Sequence, residues 1–493
     1  MPSPAQTMSR PRALALLPRA SALPPTRPVS IPVACGLLLA LDAAALIAMA
    51  VAAYLAWLVE DSYSSITDYA LPTAFGTLLA VNIFHRSGLY RPDISWRPWW
   101  AVQRLALGWI AAIALLLAIG YLTKTSADYS RGWTLLWLGF GIAALLCLRA
   151  LFFAQARRWR AQGRLKRGVA IVGTGPFAVA LAAGLDADSD GGARIVGVYS
   201  DSADRVWASH ASLYSGGLDE LADTVRNGAV DVVVLAASDP DPERHLRTIE
   251  RLTELPVDVH LCPGAIALRL PGCGASCLGG IPMLDVTQRP LRDWRSVAKD
   301  LEDCILGALI LALIAPAMLA LAIAVKLDSP GPVFFRQRRY GFNHRQFEVL
   351  KFRTMRHELS DPLAESLTRR DDPRVTRLGA FLRRWSLDEL PQFINVLRGD
   401  MSIVGPRPHA LAAKASGILY QDAVQRYAAR HRMKPGITGW AQVNGWRGAT
   451  DTLRQIEQRV AHDLYYIENW SFAFDLKIIL WTLFRGFGGR NAY

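Results

Sequence analysis

The sequence predicts a membrane protein built from three consecutive parts. These are four N-terminal transmembrane helices (residues 1–160), an α/β Rossmann-like cytoplasmic domain (165–290) and a mainly helical domain with a Pro-broken re-entrant membrane helix (296–493). Three observations support this prediction. Four apolar stretches fill the first third of the chain, apolar segments with a glycine turn follow, and a proline-containing apolar stretch precedes an Arg-rich C-terminal part. A chain of 493 residues also has room for about three domains.

The four N-terminal apolar stretches cover residues 31–59, 70–83, 105–122 and 133–153. Each approaches the roughly 20 residues needed to cross a bilayer, although the second is short and has to include polar flanking residues. Basic residues lie before the first stretch, between the second and third, and after the fourth, whereas the connection "DSYSSITD" carries only acids. The N-terminal arm and everything after the fourth stretch are therefore expected to face the cytoplasm. Within the first stretch, Asp42 is expected to be satisfied by a partner helix or by local water.

Residues 167–265 change from membrane-like to α/β character. The segment "RGVAIVGTGPFAVALAAGL" predicts a strand, a glycine turn and a helix, and "RIVGVYSD" and "VDVVVLAA" predict further buried strands. The turn "GTGPFA", which begins at Gly173, fits a dinucleotide-binding pattern in which Asp201 is a candidate ribose ligand. A glycine turn is also needed simply to pack a helix onto a strand, so a Rossmann-like domain without a nucleotide is the alternative interpretation.

A fifth apolar stretch lies between residues 304 and 325. It is long enough to cross a membrane, but a crossing would move the rest of the chain to the outer face. Pro316 lacks the N–H that would bond the carbonyl of Ala312, and its ring clashes with that carbonyl, so a bend is expected there. Charged residues at both ends suit a hairpin that returns to the surface it left. The sequence therefore predicts a re-entrant helix over residues 300–326, with a straight fifth span as the alternative.

In the segment "RRWSLDELPQFINVLRGD" two acids, Asp388 and Glu389, stand side by side before a proline. The apolar residues that follow repeat at helical spacing and stop at Gly399, which predicts a helix of about three turns. With Ser386 as the cap of a capping box, Pro391 would remove an intrahelical hydrogen bond. With Asp388 as the cap, Pro391 falls in the first turn, where its missing N–H is harmless. The two carboxylates then splay apart, so that one can attack while the other holds a cation.

Basic residues recur near this acidic pair at Arg336, Arg338, Arg339, Lys351, Arg353, Arg383, Arg384 and Arg407. Arginine side chains match phosphate oxygens bidentately. In "EVLKFRTM" Lys351 and Arg353 alternate with apolar residues in the manner of one strand face, and "GPRPHA" fixes Arg407 between two prolines. The chain has 55 Lys and Arg against 42 Asp and Glu, a net charge of +13, which indicates anionic partners. Nucleic acid is not expected among them, because much of the basic excess lies beside membrane stretches.

The C-terminal segment "DLYYIENWSFAFDLKIILWTLFRG" crowds aromatic residues into an apolar setting. The aromatic residues are Tyr465, Tyr466, Trp470, Phe472 and Trp481. Such residues suit helices that lie on the lipid surface at headgroup level, and a plain core helix is an equal alternative.

Five motifs in the last part of the chain follow one another: "KLDSPGPVFFRQ", "KFRTM", "SLDELPQFINVLRGDMSIVGPRP", "KPGITGWAQVNG" and "DLYYIENWS". In these motifs the chain resembles the bacterial sugar transferase family, the monotopic phosphoglycosyl transferases that start exopolysaccharide, capsule and O-antigen (lipopolysaccharide) synthesis. The resemblance is dense over residues 299–493. The membrane helices and Rossmann-like domain resemble the larger members, the polyprenyl glycosylphosphotransferases, and "GPRPHA" and "GIPMLDV" resemble the branch that transfers glucose phosphate to undecaprenyl phosphate.

This resemblance implies a reaction at the bacterial cytoplasmic (inner) membrane. A hexose-1-phosphate, with glucose as the expected hexose, moves from a UDP-sugar to polyprenyl (undecaprenyl) phosphate, and UMP leaves. The family implies Mg2+ as the cofactor, with Asp388 and Glu389 as candidate metal ligands. Asp388 is then the nucleophile that forms a covalent phosphosugar intermediate, and Glu389 binds the metal or handles protons.

The resemblance also assigns roles to residues around the acidic pair. Arg407 is expected to hold phosphate, with Lys351, Arg353 and Arg384 as further candidates for binding substrate phosphates. Pro316 matches the kink of the family's re-entrant helix. The expected partners are therefore a UDP-sugar, polyprenyl phosphate and membrane lipids.

Three other functions stay open at this point. The same reaction with galactose-1-phosphate or another UDP-sugar fits the same motifs. A non-catalytic membrane scaffold is a distant alternative, against which the intact acidic pair counts. A membrane-bound nucleotide-sugar epimerase or dehydratase using NAD would need a Tyr-x-x-x-Lys pair, and no tyrosine here has a lysine four residues on. A homo-oligomer is compatible with the sequence.

Overall fold

The structure is a computed structural model. It describes residues 29–58, 65–91, 98–173, 176–187, 192–200, 214–236, 242–262, 274–278, 281–357, 372–409, 414–415, 418–419, 427–446 and 452–485. The basic N-terminal arm, Gly175 of the glycine turn and the candidate ribose ligand Asp201 lie outside these residues. The chain divides into two compact units, Thr26–Lys166 and a second that contains Arg167–Tyr493.

Among its described residues the N-terminal unit contains four helices. They are α1 (Ile31–Trp57), α2 (Ala70–Arg86), α3 (Pro98–Leu122) and α4 (Arg131–Ala161). By length and composition α1, α3 and α4 are able to cross a membrane, whereas α2 has 17 residues and is short, as expected. Trp109, Trp133 and Trp137 fill the interior, and their indole N–H groups donate to backbone carbonyls at 3.1, 3.0 and 2.9 Å. Large apolar side chains such as Leu71 and Leu107 remain exposed on the outside, which confirms the predicted membrane region.

The acid inside the first apolar stretch has partners on other elements. Asp42 is fully buried in α1, and Arg149 of α4 pairs with its carboxylate at 2.6 Å. The hydroxyl of Tyr90 donates a further hydrogen bond to the same carboxylate at 2.8 Å. The expectation that a partner helix satisfies Asp42 is confirmed. Because an unpaired charge in an apolar interior is costly, this pair ties α1 to α4.

The Rossmann-like domain contains a seven-stranded sheet of order β3-β2-β1-β4-β5-β7-β6. Its strands are β1 (Arg167–Val172), β2 (Ala193–Tyr199), β3 (Tyr214–Gly216), β4 (Val232–Leu235), β5 (Asp258–Leu261), β6 (Gly274–Leu278) and β7 (Ile281–Thr287). The helices α5 (Pro176–Ala187), α6 (Leu218–Arg226) and α7 (Pro242–Thr253) lie between them in the chain. The first five strands in chain order pair in parallel, and the last two are antiparallel. Helices cover such strands on both faces, which explains the aliphatic runs that predicted them.

The glycine that begins the predicted nucleotide turn is required by packing. Gly173 follows β1 with a φ of +145°, a region that favours glycine. A Cβ atom at this position would lie 2.6 Å from the carbonyl oxygen of Ala236, at the end of β4. Strand packing alone therefore explains this glycine, and nucleotide binding in the Rossmann-like domain stays a prediction.

The C-terminal domain is mainly helical, as predicted. Its helices are α8 (Asp293–Asp328), α9 (Arg377–Arg384), α10 (Gln392–Arg398), α11 (Trp440–Val443), α12 (Leu453–Glu468) and α13 (Phe472–Arg485). Its strands are β8 (Phe334–Tyr340), β9 (Gln346–Phe352), β10 (Ser402–Val404), β11 (Lys414–Ala415), β12 (Ile418–Leu419) and β13 (Gly436–Thr438). The strands form three separate pairs: β8 with β9, β10 with β13, and β11 with β12. A core that includes Val349, Met401 and Tyr466 joins these short elements.

Helix α8 contains the proline of the predicted re-entrant segment. The helix has 36 residues and continues through Pro316, since one missing N–H removes only one bond of the helical ladder. Near its start Lys299 pairs with Asp475 of α13 at 2.6 Å. Just beyond its end Arg353 donates to the carbonyl of Ser329 at 2.6 Å. Both ends of α8 thus contact the same domain, and the re-entrant path stays a prediction.

The C-terminal aromatic residues divide between the two predicted settings. Tyr466 and Trp470 are buried, and their polar groups donate to the carboxylate of Asp475 at 2.8 and 3.0 Å. Tyr465 and Phe472 are 52% and 54% exposed. The core-helix interpretation is therefore confirmed for the first two residues, and the exposed residues suit a membrane surface.

Candidate active site

The acidic pair lies in a single 3-10 turn, Leu387–Glu389, between α9 and α10. Ser386 precedes this turn with a left-handed φ of 56°, and its side chain makes no capping hydrogen bond. Pro391 caps the seven-residue helix α10, which ends at Gly399 as predicted. The prediction of a three-turn helix capped by Asp388 is wrong, because a left-handed Ser386 places Asp388 inside a 3-10 turn and the α-helix begins only after Pro391. The capping box is absent as well.

Glu389 is bound to two cations. Arg407 donates to its carboxylate at 2.6 and 3.3 Å, and the Lys351 ammonium donates to it at 2.9 Å. Burial by itself would raise the pKa of Glu389, but the positive charges of Arg407 and Lys351 lower it well below the ordinary value. Glu389 in turn raises the pKa of Arg407. The ionised form of Glu389 is therefore favoured, and its carboxylate orients both cations.

Asp388 is buried to a similar degree, 8% exposed against 9% for Glu389, but has weaker partners. Lys351 Nζ lies 3.9 Å from Asp388 Oδ2, beyond hydrogen-bond distance. In the part of the chain that the structure describes, the Asp388 carboxylate accepts no hydrogen bond. Burial raises the pKa of Asp388; Lys351 opposes this effect and Glu389 adds to it. A carboxylate that no hydrogen bond of the described residues occupies is available to react.

The two neighbouring carboxylates thus differ in their chemistry. The pKa of Asp388 is raised and that of Glu389 is lowered, although one peptide bond joins them. Pairs of acids whose pKa values move apart commonly take separate catalytic roles. This arrangement suits an attacking group, Asp388, beside a structural anion, Glu389, that holds cations for a phosphorylated substrate.

The hairpin β8–β9 positions Lys351. The Leu350 N–H donates to the side-chain oxygen of Asn395 at 3.0 Å, and the Asn395 amide donates to the Glu348 carbonyl at 2.8 Å. Asn395 lies in α10, the helix that follows the acidic pair. Its two hydrogen bonds therefore fix the strand that carries Lys351 to the helix that follows Asp388 and Glu389.

Arg407 lies in a loop after β10, and a buried ion pair fixes the backbone of this loop. Arg430 donates to the Arg407 carbonyl at 2.7 Å and to the Asp463 carboxylate at 2.6 Å. The loop packs tightly at its start, since a Cβ atom on Gly405 would lie 2.5 Å from the carbonyl oxygen of Lys434. Sequence reasoning missed Arg430, although Asp463 belongs to the quoted motif "DLYYIENWS".

Two of the basic candidates lie away from the acidic pair. Arg353 is buried and binds the carbonyl and hydroxyl of Ser329 at 2.6 and 3.0 Å, so it holds the end of α8. Lys351 and Arg353 do not meet at one site, because the Arg353 side chain is bound to Ser329 at the end of α8 and that of Lys351 to Glu389. Arg384 is exposed at the end of α9. Phosphate binding by Arg353 and Arg384 stays a prediction.

Two other arginines influence the acidic pair more directly. The positive charge of Arg383 favours the ionised form of Asp388, and its Nε donates to the Thr354 hydroxyl at 2.9 Å. Arg339 of β8 donates to the Pro408 carbonyl at 2.5 Å, and burial with Arg407 nearby lowers its pKa to about 10. The sequence analysis included Arg383 and Arg339 among the basic candidates, but nothing in the sequence set them apart from the other basic residues.

The donor atoms at the site fit Mg2+ when substrate phosphates supply further oxygens. Mg2+ in nucleotide enzymes is usually held by one or two carboxylates together with phosphates. Within the part of the chain that the structure describes, no hydrogen bond occupies the Asp388 oxygens, whereas both oxygens of Glu389 already bind cations. Among the described residues no group of three or more His, Cys, Asp or Glu side chains is arranged to hold a metal ion. Binding of a metal ion at this site would therefore require the substrate phosphates as further ligands.

Comparison with known proteins identifies two regions of the chain. Residues 294–489 match the family described as bacterial sugar transferase, and residues 85–263 match the family described as CoA-binding domain. The first region contains the acidic pair, the hairpin and the Arg407 loop. All the contacts described for the site therefore fall within the first match.

Similar proteins extend this match over most of the chain. A protein of Escherichia coli (strain K12) named UDP-glucose:undecaprenyl-phosphate glucose-1-phosphate transferase is 38% identical over 402 residues, 81% of this chain and 85% of that protein. A protein of the same name from Xanthomonas campestris pv. campestris is 37% identical over 433 residues, 86% of this chain and 88% of that protein. The exopolysaccharide production protein PSS of Rhizobium leguminosarum bv. phaseoli is 50% identical over 173 residues, 35% of this chain and 86% of that protein.

Proposed function

The chain belongs to the bacterial sugar transferase family, and on that premise we propose that it transfers glucose-1-phosphate from UDP-glucose to undecaprenyl phosphate. UMP is the other product. Two relatives similar over more than four fifths of this chain carry the name of this reaction. The similarity to an exopolysaccharide production protein supports a role at the start of exopolysaccharide synthesis.

The reaction proceeds in two displacements at phosphorus. A carboxylate oxygen of Asp388 attacks the sugar-bearing phosphorus of UDP-glucose, and the bond from that phosphorus to the bridging oxygen breaks, so that UMP leaves. A phosphate oxygen of undecaprenyl phosphate then attacks the same phosphorus. The bond to Asp388 breaks, the carboxylate is restored, and undecaprenyl diphosphoglucose is released. Two steps suit a site that receives one substrate from water and the other from lipid.

The observation that carries this assignment is the unequal environment of the two acids. Glu389 is held by Arg407 and Lys351 and cannot attack without losing both contacts. Asp388 accepts no hydrogen bond within the described residues, and its nearest cation, Lys351, lies 3.9 Å away. Arg407 and Lys351 bind the phosphate oxygens and stabilise charge that develops on them. Mg2+, held by Asp388 and the substrate phosphates, would neutralise the leaving phosphate.

The site faces the cytoplasm at the inner membrane, where UDP-glucose is present. This location requires α8 to return to the surface that it left, as the predicted re-entrant path does. Asn343, which follows α8 in the chain, donates to the carbonyls of Val225 and Arg226 in the Rossmann-like domain at 3.2 and 3.1 Å. A straight span through the membrane would separate residues that touch in one compact unit. A cysteine introduced near Gly331 should accordingly be protected from impermeant reagents added outside.

The decisive experiment is to trap the intermediate. Purified protein with UDP-glucose and no lipid should release about one equivalent of UMP and retain a phosphoglucose group on the peptide that contains Asp388, detected by mass spectrometry. Adding undecaprenyl phosphate should discharge the adduct into lipid. UDP-galactose in a parallel sample tests the sugar. An adduct on another residue, or turnover without any adduct, would remove Asp388 as the nucleophile.

A further inference from the structure

The hairpin that carries Lys351 has an unusual tip. Between β8 and β9 the residues Asn343 and His344 both have a φ of 56°, in the left-handed region. Such conformations cost free energy in residues other than glycine and persist where the surrounding structure imposes them. Asn343 is also buried, although it lies at the end of a hairpin. The tip is therefore held by something outside the hairpin.

The partner of the tip is the C-terminus of helix α6 in the Rossmann-like domain. The Asn343 amide donates to the carbonyls of Val225 and Arg226 at 3.2 and 3.1 Å. Arg345 donates to the Arg226 carbonyl at 3.2 and 3.0 Å. The last carbonyls of a helix have no partner within the helix, and the helix dipole makes this end attractive to donors and cations. The hairpin of one domain thus caps a helix of the other.

The other end of the same hairpin reaches the acidic pair. Lys351 lies six residues beyond Arg345, about 20 Å along an extended strand. The two strands pair without interruption, from the pair Tyr340–Gln346 at the tip to the pair Phe334–Phe352 at the other end. A displacement of the tip is therefore transmitted along both strands to Lys351.

A second contact connects the tip to Arg407. The ring of His344 packs against that of His431, with centroids 4.1 Å apart. His431 follows Arg430, which donates to the Arg407 carbonyl. A cavity of about 210 Å3 borders Asn343, His344 and His431, so the tip has room to shift when its hydrogen bonds are lost.

From these contacts, and resting on the function proposed above, we propose that Asn343 is a positioning residue for the transfer reaction. The Asn343 side chain caps α6 and so holds the hairpin against the Rossmann-like domain. In this position the hairpin keeps Lys351 between Glu389 and Asp388. The Rossmann-like domain then acts as a rigid support for the site across the domain contact.

The inference predicts a slower transfer when the hairpin is displaced. Lys351 Nζ lies 2.9 Å from the Glu389 carboxylate and 3.9 Å from that of Asp388. When the hairpin moves away, the substrate phosphates lose one of the two cations proposed to bind them, so kcat falls as it should in Lys351→Gln.

The test compares Asn343→Asp with Gln346→Glu in the full-length protein in nanodiscs. Aspartate tolerates the left-handed conformation but replaces the donor amide by an anion facing carbonyls. Gln346 is exposed on the same hairpin, and its change to glutamate is the matched control. Asn343→Asp should lower kcat by about tenfold, within the loss of up to about 10²-fold that misplacing a catalytic group can cause. It should add little to the loss in Lys351→Gln when the two changes are combined, and it should speed hydrogen–deuterium exchange in residues 346–352.

The outcomes separate this inference from the proposed function. Unchanged exchange in a folded Asn343→Asp protein, or a loss of kcat that adds in full to that of Lys351→Gln in the double variant, overturns the positioning role. Asn343→Gly, which removes the donor and relieves the backbone, should give the same changes to a smaller extent; wild-type behaviour in it also overturns the role. If the wild-type protein releases no UMP from UDP-glucose, the proposed function fails, and hydrogen exchange alone decides whether Asn343 fixes the hairpin.

Discussion

The Rossmann-like domain and the C-terminal domain differ in how many ionisable groups they bury. In the sheet, Val169, Ile171, Val232 and Val234 are all 0% exposed, and the surrounding core is largely aliphatic, with Asp258 and His260 among the few buried ionisable residues. The C-terminal domain buries many more ionisable groups. They are Lys299, Glu302, Asp303, Arg353, Asp388, Glu389, Arg430, Arg432, Arg459, Asp463 and Asp475.

This difference indicates how the two domains divide their tasks. Aliphatic burial is non-directional, so the sheet tolerates small changes of shape. Buried charges persist only where partners meet them at the correct distance and angle, so each one fixes the direction of a loop or strand. The C-terminal domain uses its charged interior to orient Arg407 and Lys351, and the sheet offers a stable body against which the hairpin is held.

The largest expected effect comes from the reactive acid. Asp388→Asn removes the nucleophile and should lower UMP release at least about 10³-fold. Because burial raises the pKa of Asp388, the protonated acid stabilises the folded protein below its unfolded pKa, and this contribution is lost as the pH rises through the folded pKa. The uncharged variant should therefore melt no lower than wild type at neutral pH. Near-normal turnover would refute the proposed mechanism.

Breaking a buried ion pair should have the next largest effect. Arg430→Met leaves the Asp463 carboxylate without its partner and should destabilise the C-terminal domain by about 3–5 kcal/mol. It should also impair catalysis by releasing the Arg407 loop. Thermal melting and UMP release measure the two effects.

A matched double variant tests the cause of that loss. Arg430→Met with Asp463→Leu removes both charges and should recover much of the melting temperature, because no charge is left unpaired. It should not recover activity, since the Arg407 carbonyl still lacks its donor. Equal melting of the single and double variants would show that the unpaired Asp463 carboxylate is not the cause of the loss.

The pH dependence should show a smaller effect. The raised pKa of Asp388 predicts an acidic limb of kcat/KM above pH 3.9, the usual pKa of aspartate. Below that limb the rate should fall about tenfold per pH unit. Lys351→Gln should move the limb to higher pH, and the exposed change Gln346→Glu should not. A limb at or below the usual value would contradict the assignment of Asp388.

The smallest effect is expected in the sheet. Ile171→Val removes one methylene from a fully buried position and should cost about 0.5–1.5 kcal/mol of stability. Because Ile171 orients no charged group, kcat and KM should remain those of wild type. A large loss of turnover at unchanged melting temperature would mean that the aliphatic core, too, controls the site.

The sequence was sufficient where neighbours along the chain decide the structure. Apolar runs predicted the membrane helices and the strands of the sheet, and Gly399 predicted the end of α10. The acidic pair could be identified because adjacent carboxylates before a proline are unusual. The turn that holds the pair was predicted incorrectly, because tertiary packing selected a left-handed Ser386 over a continuous helix.

By itself, then, the sequence determined the elements and the identity of the reactive groups, since hydrophobic periodicity and backbone hydrogen bonding act over a few residues. The tertiary structure alone decided which acid is free. Glu389 meets Arg407 from 18 positions away and Lys351 from 38, and Asn343 meets Val225 from 118. Ion pairs and caps depend on distances in space, and no local pattern specifies which distant partners the folded chain brings within 3 Å of one another.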